Sequence, residues 1–222
     1  MELNEVMRTT FAAREYTGEE IPDGMIHELI ENARFAPSGG NRQGNRVIVV
    51  RDAETREALA KLAEPAAKRY VAQSKAGESP WNAVTPTQVT AAEIEATRPA
   101  RILVDSFRDA SAVLVFVVDL RVVASMDQDL ERIGMISGAS IYPFVWNVLL
   151  GARQAGFGGT ITTLAVAREA EVQDLLNIPT EFAVAAVVPL GKPVKQLTKL
   201  RRKSVEEIAT RERFDGAAFS KD

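Results

Sequence analysis

The chain has 222 residues, of which 46% are hydrophobic and 26% charged, a composition typical of a globular domain with its own core. It contains no cysteine, which excludes disulfides, zinc–thiolate sites, iron–sulfur clusters and thiol nucleophiles. The formal net charge of −3 argues against nucleic acid as a partner.

The first third of the sequence predicts three helices and one strand. Residues 3–8 predict a short opening helix, and 24–35 predict an amphipathic helix with Asp23 as its cap. An unbroken apolar run at 46–50 predicts a buried strand. The spacing of apolar residues over 53–75 then predicts a long helix.

The middle of the chain predicts two further strands and two further helices. Residues 112–120 form the clearest strand pattern, and 181–190 predict another. Between them, 134–155 predict a long helix that is apolar on most of its circumference and is ended by glycine. A shorter amphipathic helix is predicted over 166–176.

Two segments lack this periodicity. Residues 77–100 contain three prolines, and a connection of that length is usually either disordered or a lid over a site. The sequence leaves both alternatives open. The C-terminal arm, 195–222, carries a basic cluster followed by a polar stretch that predicts a helix. Without internal repeats or a regular βαβ series, the chain predicts one α+β domain over 1–222.

No segment predicts a membrane span or a leader. The longest apolar stretch, 136–152, is shorter than the ~20 residues that a span needs, and it contains Pro143 and Asn147. The first five residues are acidic and begin no apolar run, so we predict no signal peptide and a cytoplasmic location.

The single histidine, His27, predicts no chemistry. It falls on the polar face of its predicted helix, opposite the apolar stripe, and we therefore expect it in solvent. A hydrolase triad or a multi-histidine metal site would have to use it. We predict neither, and we predict no metal.

The first candidate ligand-binding segment is Arg8-Thr9-Thr10, with Arg14 six residues beyond Arg8. Planar charged donors beside neutral hydroxyls are the groups that bind a phosphate monoester. Arginine and threonine are also common on the surface near an N-terminus. By itself, this segment is therefore more typical of solvent-exposed residues than of a phosphate site.

The second segment, Pro37-Ser38-Gly39-Gly40-Asn41-Arg42-Gln43, is a loop dense in turn formers. Its glycines allow the backbone to approach a flat ligand closely, and Ser38 and Asn41 can exchange hydrogen bonds with the edge of that ligand. In isolation the loop is more typical of a simple turn.

The third segment runs from Gly156 to Thr163, and the fourth is Arg201-Arg202-Lys203. The third is not a dinucleotide fingerprint, because its sixth position is Ile161 and it follows a helix rather than a strand. Its backbone N–H groups remain available to a ligand. The fourth is too short to indicate nucleic acid, but with Arg8 and Arg14 it could surround one phosphate.

Taken in order, these segments resemble the nitroreductase family of FMN enzymes. The most specific match is to the family motif Ala-Pro-Ser-x-x-Asn-x-Gln, here Ala36 to Gln43. The Arg-x-Ser-type phosphate segment corresponds to Arg8-Thr9-Thr10, and the Gly-Leu-Gly-like helix stop corresponds to Gly156-Phe157-Gly158. The basic pair is Arg201-Arg202, so the resemblance covers most of the chain.

The resemblance implies a mostly antiparallel sheet flanked by helices, in an intertwined homodimer with FMN at its interface. The N-terminal segment and the basic pair would bind the phosphate and ribityl chain, and Ser38 and Asn41 would come from the other subunit. Residues 158–162 would line the flavin edge with an N–H near N5, and Arg14 would stand near N1 and O2. The cofactor-binding positions are Arg8, Thr9, Thr10, Arg14, Pro37, Ser38, Gly39, Asn41, Gln43, Gly158, Gly159, Thr160, Ile161, Thr162, Arg201 and Arg202.

Three departures from the family pattern stand out. Two extra residues lie between Arg8 and Ile21-Pro22, which shifts the alignment of Arg14. Gly44-Asn45 replaces the usual proline and aromatic residue after the motif glutamine. Pro143 lies inside the predicted long helix and would kink it.

The implied activity is hydride transfer from NAD(P)H through FMN to a small acceptor, a nitroaromatic or a quinone, by a ping-pong mechanism. No catalytic side chain is predicted, because the flavin carries the chemistry. Residues 77–100, with Trp81, would cover the flavin and set acceptor choice. A non-enzymatic flavin-sequestering protein and a different flavin reaction, such as reductive dehalogenation or flavin fragmentation, are the alternatives; NADH against NADPH stays open.

Overall fold

A four-stranded antiparallel sheet lies at the centre of the fold, with the strand order β1-β2-β4-β3. The computed structural model describes residues 1–221. The strands are β1 (Asn45–Val50), β2 (Ala112–Asp119), β3 (Gly158–Gly159) and β4 (Phe182–Gly191). The three strands predicted from apolar runs are therefore present within one or two residues of their predicted ends.

Helices cover both faces of this sheet. They are α1 (Leu3–Thr9), α2 (Asp23–Ala33), α3 (Ala53–Lys75), α4 (Ala91–Ala96), α5 (Arg101–Asp109), α6 (Tyr142–Gln154) and α7 (Glu169–Leu176). Short 3₁₀ turns occur at Gly39–Asn41, Ile136–Ser140 and Ala165–Arg168. None of the described helices is both long and apolar enough to cross a membrane.

The alternation of side chains along β2 divides the interior into two cores. Leu114 and Phe116 belong to the core shared with α2 and α6, where the Phe116 and Phe144 rings meet edge to face at 5.6 Å. Val113 and Val115 belong to the core shared with α3 and α5. β2 is thus covered on both faces, which explains its unbroken apolar sequence.

The prediction of a buried first strand is wrong. Within residues 1–221, β1 pairs with β2 and with no other strand, and Val50 is its single buried residue among Asn45–Val50. A strand at the edge of a sheet leaves part of its surface uncovered, and an apolar run alone does not distinguish an edge strand from a central one.

The long helix predicted over 134–155 begins only at Tyr142. Residues 136–140 form a 3₁₀ turn instead. Pro143 occupies the first turn of α6, where a missing backbone N–H breaks no helical bond, so the predicted kink does not occur. Asp23 was also misassigned, because it is the first helical residue and accepts a hydrogen bond from Arg51 Nε at 2.8 Å rather than capping α2.

Residues 77–100 contain a helix that the periodicity did not predict. The Glu78 carboxylate accepts hydrogen bonds from the Thr87 hydroxyl at 2.6 Å and the Gln88 backbone N–H at 2.7 Å. α4 begins with a reciprocal Thr90–Glu93 capping box, which is a recognisable signal in the sequence. Lys68 then pairs with Glu95 at 2.8 Å and holds α4 to α3.

Two further differences concern α5 and the C-terminal arm. α5 was not predicted, although Val104 and Phe107 give it a buried face. Conversely, the described part of the arm, residues 195–221, contains no helix and forms turns with one bridge between Thr210 and Ala218. A polar stretch without an apolar face to bury gains too little from packing to become helical.

Candidate functional site

A cavity of about 500 Å³ lies between α3, α5 and the segment that follows β3. Its volume is in the range of small-molecule sites, and its walls are mainly apolar with a few hydroxyls. The residues that line it are Arg14, Ala66, Tyr70, Pro80, Trp81, Leu103, Ser106, Thr160, Ile161, Thr162, Thr163, Leu164, Val166 and Ala167.

An extended segment beside the sheet places Arg14 in this cavity. Ala12 forms a parallel bridge with Gly159, and the Ala13 N–H donates to the Gly159 carbonyl at 3.1 Å. Successive side chains of an extended segment point in opposite directions. Ala13 is accordingly buried while Arg14 lines the cavity.

The Arg14 guanidinium has few hydrogen-bond partners within the described chain. Its one hydrogen bond within the described chain is a long contact of 3.4 Å from Nη1 to the Ala12 carbonyl. No acidic side chain is among the described residues that line the cavity. The cavity therefore contains a half-buried cation without a carboxylate, which suits a ligand that carries or develops negative charge.

Tyr16 fixes this segment against the sheet. Its hydroxyl lies 2.8 Å from the Ala13 carbonyl and 2.9 Å from the Pro189 carbonyl. Burial raises the pKa of the Tyr16 phenol, so the side chain is neutral at ordinary pH. Gly191 makes room for the ring, because a Cβ there would lie 2.6 Å from Tyr16 Cδ1. No sequence pattern singles out Tyr16 for this positioning role.

The backbone after β3 supplies free donors at the same cavity. Thr162 exchanges two 2.9 Å hydrogen bonds with Val187 of β4. The N–H groups of its neighbours Ile161 and Thr163 donate to no acceptor in the part of the chain that the structure describes. Thr160 to Thr162 thus line the cavity, with unpaired N–H groups beside them. Their contact with the edge of a ligand stays a prediction.

Gly158 and Gly159 are placed differently from Thr160. Both are buried in β3, and neither is among the described residues that line the cavity. A Cβ on Gly159 would lie 2.6 Å from the Pro189 carbonyl oxygen, and one on Gly158 would lie 3.0 Å from Pro193 Cγ. These glycines are required for packing within the chain.

The Thr9 and Thr10 hydroxyls are bonded back into α1. Thr9 Oγ1 donates to the Glu5 carbonyl and Thr10 Oγ1 to the Val6 carbonyl, both at 2.7 Å. Both residues are buried, whereas Arg8 is exposed on the last turn of the helix. The single hydroxyl donor of each threonine is therefore already used.

The Pro37–Gln43 loop lies against the turn before α6. The Gly39 N–H donates to Ser140 Oγ at 3.1 Å, and Ser38 Oγ accepts from the Gln43 N–H at 3.0 Å. Asn41 and Gln43 adopt positive φ angles of 53° and 51°. Pro37, Gly39, Asn41 and Gln43 are exposed. No residue of the loop belongs to the described lining of the cavity.

The basic pair of the C-terminal arm also stays outside the cavity. Arg201 and Arg202 are exposed, and Arg202 Nη1 donates to the Arg201 carbonyl at 2.7 Å. The arm begins beside α1, where Gln196 Nε2 donates to the Thr9 carbonyl at 3.0 Å. One chain therefore brings Arg14 together with Thr160 to Thr162 and leaves the other predicted positions apart.

Several lining residues come from helices that the sequence analysis did not connect with a site. Ala66 and Tyr70 are four residues apart on α3, and Leu103 and Ser106 are three apart on α5. Such spacing places each pair on one helix face, but it does not say what that face contacts. His27 is exposed as expected, and residues 1–221 contain no cluster of acidic or histidine side chains suited to a metal ion.

Comparison with known proteins places these features in context. A model of the nitroreductase family matches residues 7–192. The chain is 28% identical over 210 residues to an NADH dehydrogenase of Thermus thermophilus, covering 88% of each chain.

Two of the solved structures that share the fold contain a bound nucleotide. An oxidized iodotyrosine deiodinase bound to FMN and 3-iodo-L-tyrosine has a TM-score of 0.69 at 19% identity, covering 96% of this chain and 100% of that one. An NADPH:FMN oxidoreductase from Vibrio harveyi complexed with NAD⁺ has a TM-score of 0.64 at 19% identity, covering 95% and 77%. At these identities the likeness concerns the fold alone.

Proposed function

The chain belongs to the nitroreductase family, and from this membership we propose that it is an FMN-dependent oxidoreductase that passes hydride from NAD(P)H to a small acceptor. The proposed acceptor is a quinone or a nitroaromatic, which is reduced in a ping-pong cycle. With a quinone, NAD(P)H becomes NAD(P)⁺, and the quinone gains a hydride and a proton from solvent to become the hydroquinone.

The observation that carries this proposal is that Arg14 and backbone N–H groups without an acceptor line the same cavity. The guanidinium has no carboxylate partner among the lining residues described, and the Ile161 and Thr163 N–H groups donate to no acceptor in residues 1–221. A flat ring with acceptor atoms along one edge and a tendency to gain negative charge would satisfy both. The isoalloxazine of FMN has these properties.

Bound FMN would supply the hydride chemistry, and the protein would bind and orient it. Arg14 would hold positive charge beside N1 and O2, where reduction of the ring adds negative charge. A backbone N–H of Ile161 or Thr163 would donate to N5. The described lining contains no acid–base dyad, and hydride transfer requires none. The FMN and NAD⁺ in the two related structures support this assignment by analogy.

We further propose that the active form is a homodimer in which the Pro37–Gln43 loop reaches the partner's cavity. The loop has exposed residues with hydrogen-bonding groups, and none of its residues is among those described as lining the cavity of its own chain. Apolar side chains are exposed in the segment between β2 and α6, which contacts the loop through Ser140; they include Met126 at 87% and Met135 at 73%. A concentration of exposed apolar side chains in one segment is typical of a subunit interface.

A reconstitution experiment tests the enzymatic proposal. The purified protein is titrated with FMN and then mixed anaerobically with NADH or NADPH while the visible flavin absorbance is followed. We expect tight FMN binding, loss of absorbance with a pyridine nucleotide, and its return on adding a quinone. Failure to bind FMN would refute the proposal. Binding without reduction would instead identify a flavin-sequestering protein.

The dimer has its own test. Light scattering on the eluting protein gives its mass, and we expect twice the 24.2 kDa of one chain. The double variant Ser38→Ala with Asn41→Ala should keep that mass and weaken FMN binding. The shared site would be contradicted if the unaltered protein bound FMN as a monomer. It would also be contradicted if the double variant bound FMN as tightly as the unaltered protein.

A further inference from the structure

Trp81 holds a strained backbone conformation at the mouth of the cavity. Its φ angle is 56°, in the left-handed region that bulky L residues rarely adopt. Such conformations persist only where the surroundings enforce them, and they are concentrated at functional sites. The ring lines the cavity while remaining 43% exposed, so burial of the side chain does not explain the strain.

Two residues of α3 enforce this conformation. Gln73 is 2% exposed, and its side-chain carbonyl oxygen accepts a hydrogen bond of 3.0 Å from the Trp81 N–H. The Arg69 guanidinium lies 4.2 Å from the centroid of the indole. Arg69 and Gln73 are four residues apart and therefore share one face of the helix. Backbone and ring are both fixed before any ligand arrives.

The charged group in contact with the Trp81 ring is the Arg69 guanidinium, whereas the Glu78 carboxylate is hydrogen-bonded to the Gln73 side chain. Arg14 is the one charged residue among the described residues that line the cavity. Arg69 adds a second guanidinium at the indole, and its Nε is buried without a hydrogen-bond partner in the described chain. With Arg14 assigned to the flavin, Arg69 is the guanidinium left to the acceptor, and no carboxylate is among the described lining residues, which favours an anionic acceptor over a cationic one.

We propose that Trp81 is the specificity-determining residue of the acceptor site and selects planar aromatic acceptors, and that Arg69 favours those that carry an anionic group. Gln73 and Arg69 are its positioning residues. Arg69 occupies one face of the indole, so the acceptor stacks on the other. A ring fixed in advance loses no side-chain freedom on binding, which favours affinity. This inference rests on the proposed function, because it describes the acceptor half of that reaction.

The first test compares two acceptors, 1,4-naphthoquinone-2-sulfonate and its uncharged counterpart 2-methyl-1,4-naphthoquinone. Trp81→Ala should raise KM for both by about ten-fold, as expected from the loss of an aromatic stacking partner, with a smaller change in kcat. Val84→Ala is the matched control, because Val84 is exposed in the same segment and is not among the lining residues. It should change neither constant.

Trp81→Gly separates the ring from the backbone strain. Glycine adopts a positive φ without strain, so this variant should unfold at a higher temperature than Trp81→Ala. Both variants lack the ring, and their KM values should therefore agree. If KM instead follows thermal stability across the two variants, the ring is structural and the proposal is wrong.

The positioning residues are tested through their partner. Gln73→Met should raise KM in the unaltered background and have no further effect when combined with Trp81→Ala, because it acts through the ring. Arg69→Met should lower kcat/KM for the sulfonated quinone more than for the uncharged one. Equal losses for the two quinones would overturn the charge selectivity.

These outcomes are distinguishable from failure of the proposed function. FMN binding and anaerobic reduction by NAD(P)H are therefore measured in every variant before the quinone KM values are compared. A protein that fails to bind FMN or to be reduced refutes the proposed function. If Trp81→Ala is reduced normally and its KM for the quinones is unchanged, only the role of Trp81 is refuted.

Discussion

The Nε atom of Arg153 donates a hydrogen bond of 3.0 Å to the hydroxyl oxygen of Thr9, and this contact joins the end of α6 to the end of α1. The Thr9 hydroxyl donates in turn to the Glu5 carbonyl, and the Thr9 carbonyl accepts from Gln196 of the C-terminal arm. Three distant parts of the chain therefore meet at Thr9. A residue that the family resemblance assigns to the cofactor thus also has a structural role.

The first prediction follows from this junction. Thr9→Val removes the hydroxyl and leaves Arg153 without its partner, so the free energy of unfolding should fall by about 1 kcal/mol. Urea denaturation measures the change. Thr198→Val, at an exposed position of the arm, is the control and should stay within about 0.5 kcal/mol of the unaltered protein. If Thr9→Val weakens FMN binding without loss of stability, its role is in the cofactor site instead.

The second prediction concerns the two arginines of the N-terminal segment. Arg14→Gln should weaken the binding of both FMN and riboflavin by about ten-fold, because the lost cation would face the ring that they share. Arg8→Gln should weaken FMN alone, because riboflavin lacks the phosphate. Fluorescence titration gives each Kd. Equal effects of Arg14→Gln and Arg8→Gln on riboflavin would contradict this division of roles.

The third prediction concerns pH and the buried carboxylate of Asp127. Hydrogen bonds from the Met135 and Ile136 backbone N–H groups, with Arg132 at 2.8 Å, hold the pKa of Asp127 below its ordinary value. A carboxylate whose pKa is lower in the folded state stabilises the protein above its unfolded pKa, and this stabilisation disappears as the pH falls through the folded pKa.

Asp127→Asn should therefore be less stable than the unaltered protein at neutral pH, and the difference should shrink below about pH 4. Urea denaturation at a series of pH values measures it. Asp174→Asn, at an exposed carboxylate of α7, is the matched control and should show a smaller difference at neutral pH. A difference for Asp127→Asn that is constant down to the acid range would refute the electrostatic explanation.

The fourth prediction separates packing from ligand binding at Gly159. An added methyl group would lie 2.6 Å from the Pro189 carbonyl oxygen, which belongs to the backbone of β4 and cannot move freely. Gly159→Ala should therefore reduce the free energy of unfolding by about 2 kcal/mol, measured without FMN. Gly24→Ala is the control, since a Cβ there meets no atom within 4 Å and alanine favours the helix by about 0.5 kcal/mol.

Local patterns predicted most of the elements and the family. The apolar spacing over 53–75 predicted the observed bounds of α3, and the unbroken apolar run from Ala112 predicted β2. The Ala36 to Gln43 motif carried most of the family resemblance, and both the family and the predicted nitroreductase-like α+β fold are confirmed. These features were accessible because periodicity and motif spacing are local properties of the chain.

Most of the errors originate in contacts between distant residues. The edge position of β1 and the late start of α6 depend on what packs beside them, which an apolar run does not encode. α5 draws its helical stability from the core around Phe107. The α4 capping box was visible in the sequence and would have identified that helix.

The sequence by itself determined the chemical inventory of this protein: no thiol, one surface histidine, and segments rich in arginine, glycine and hydroxyl groups. Only the tertiary structure decided which of those groups share a cavity. Arg14, Trp81 and Thr160 are far apart along the chain and meet because an extended segment bridges to β3 while α3 and α5 pack across the opening. Such packing is set by long-range contacts, whereas composition and spacing describe only neighbours in the chain.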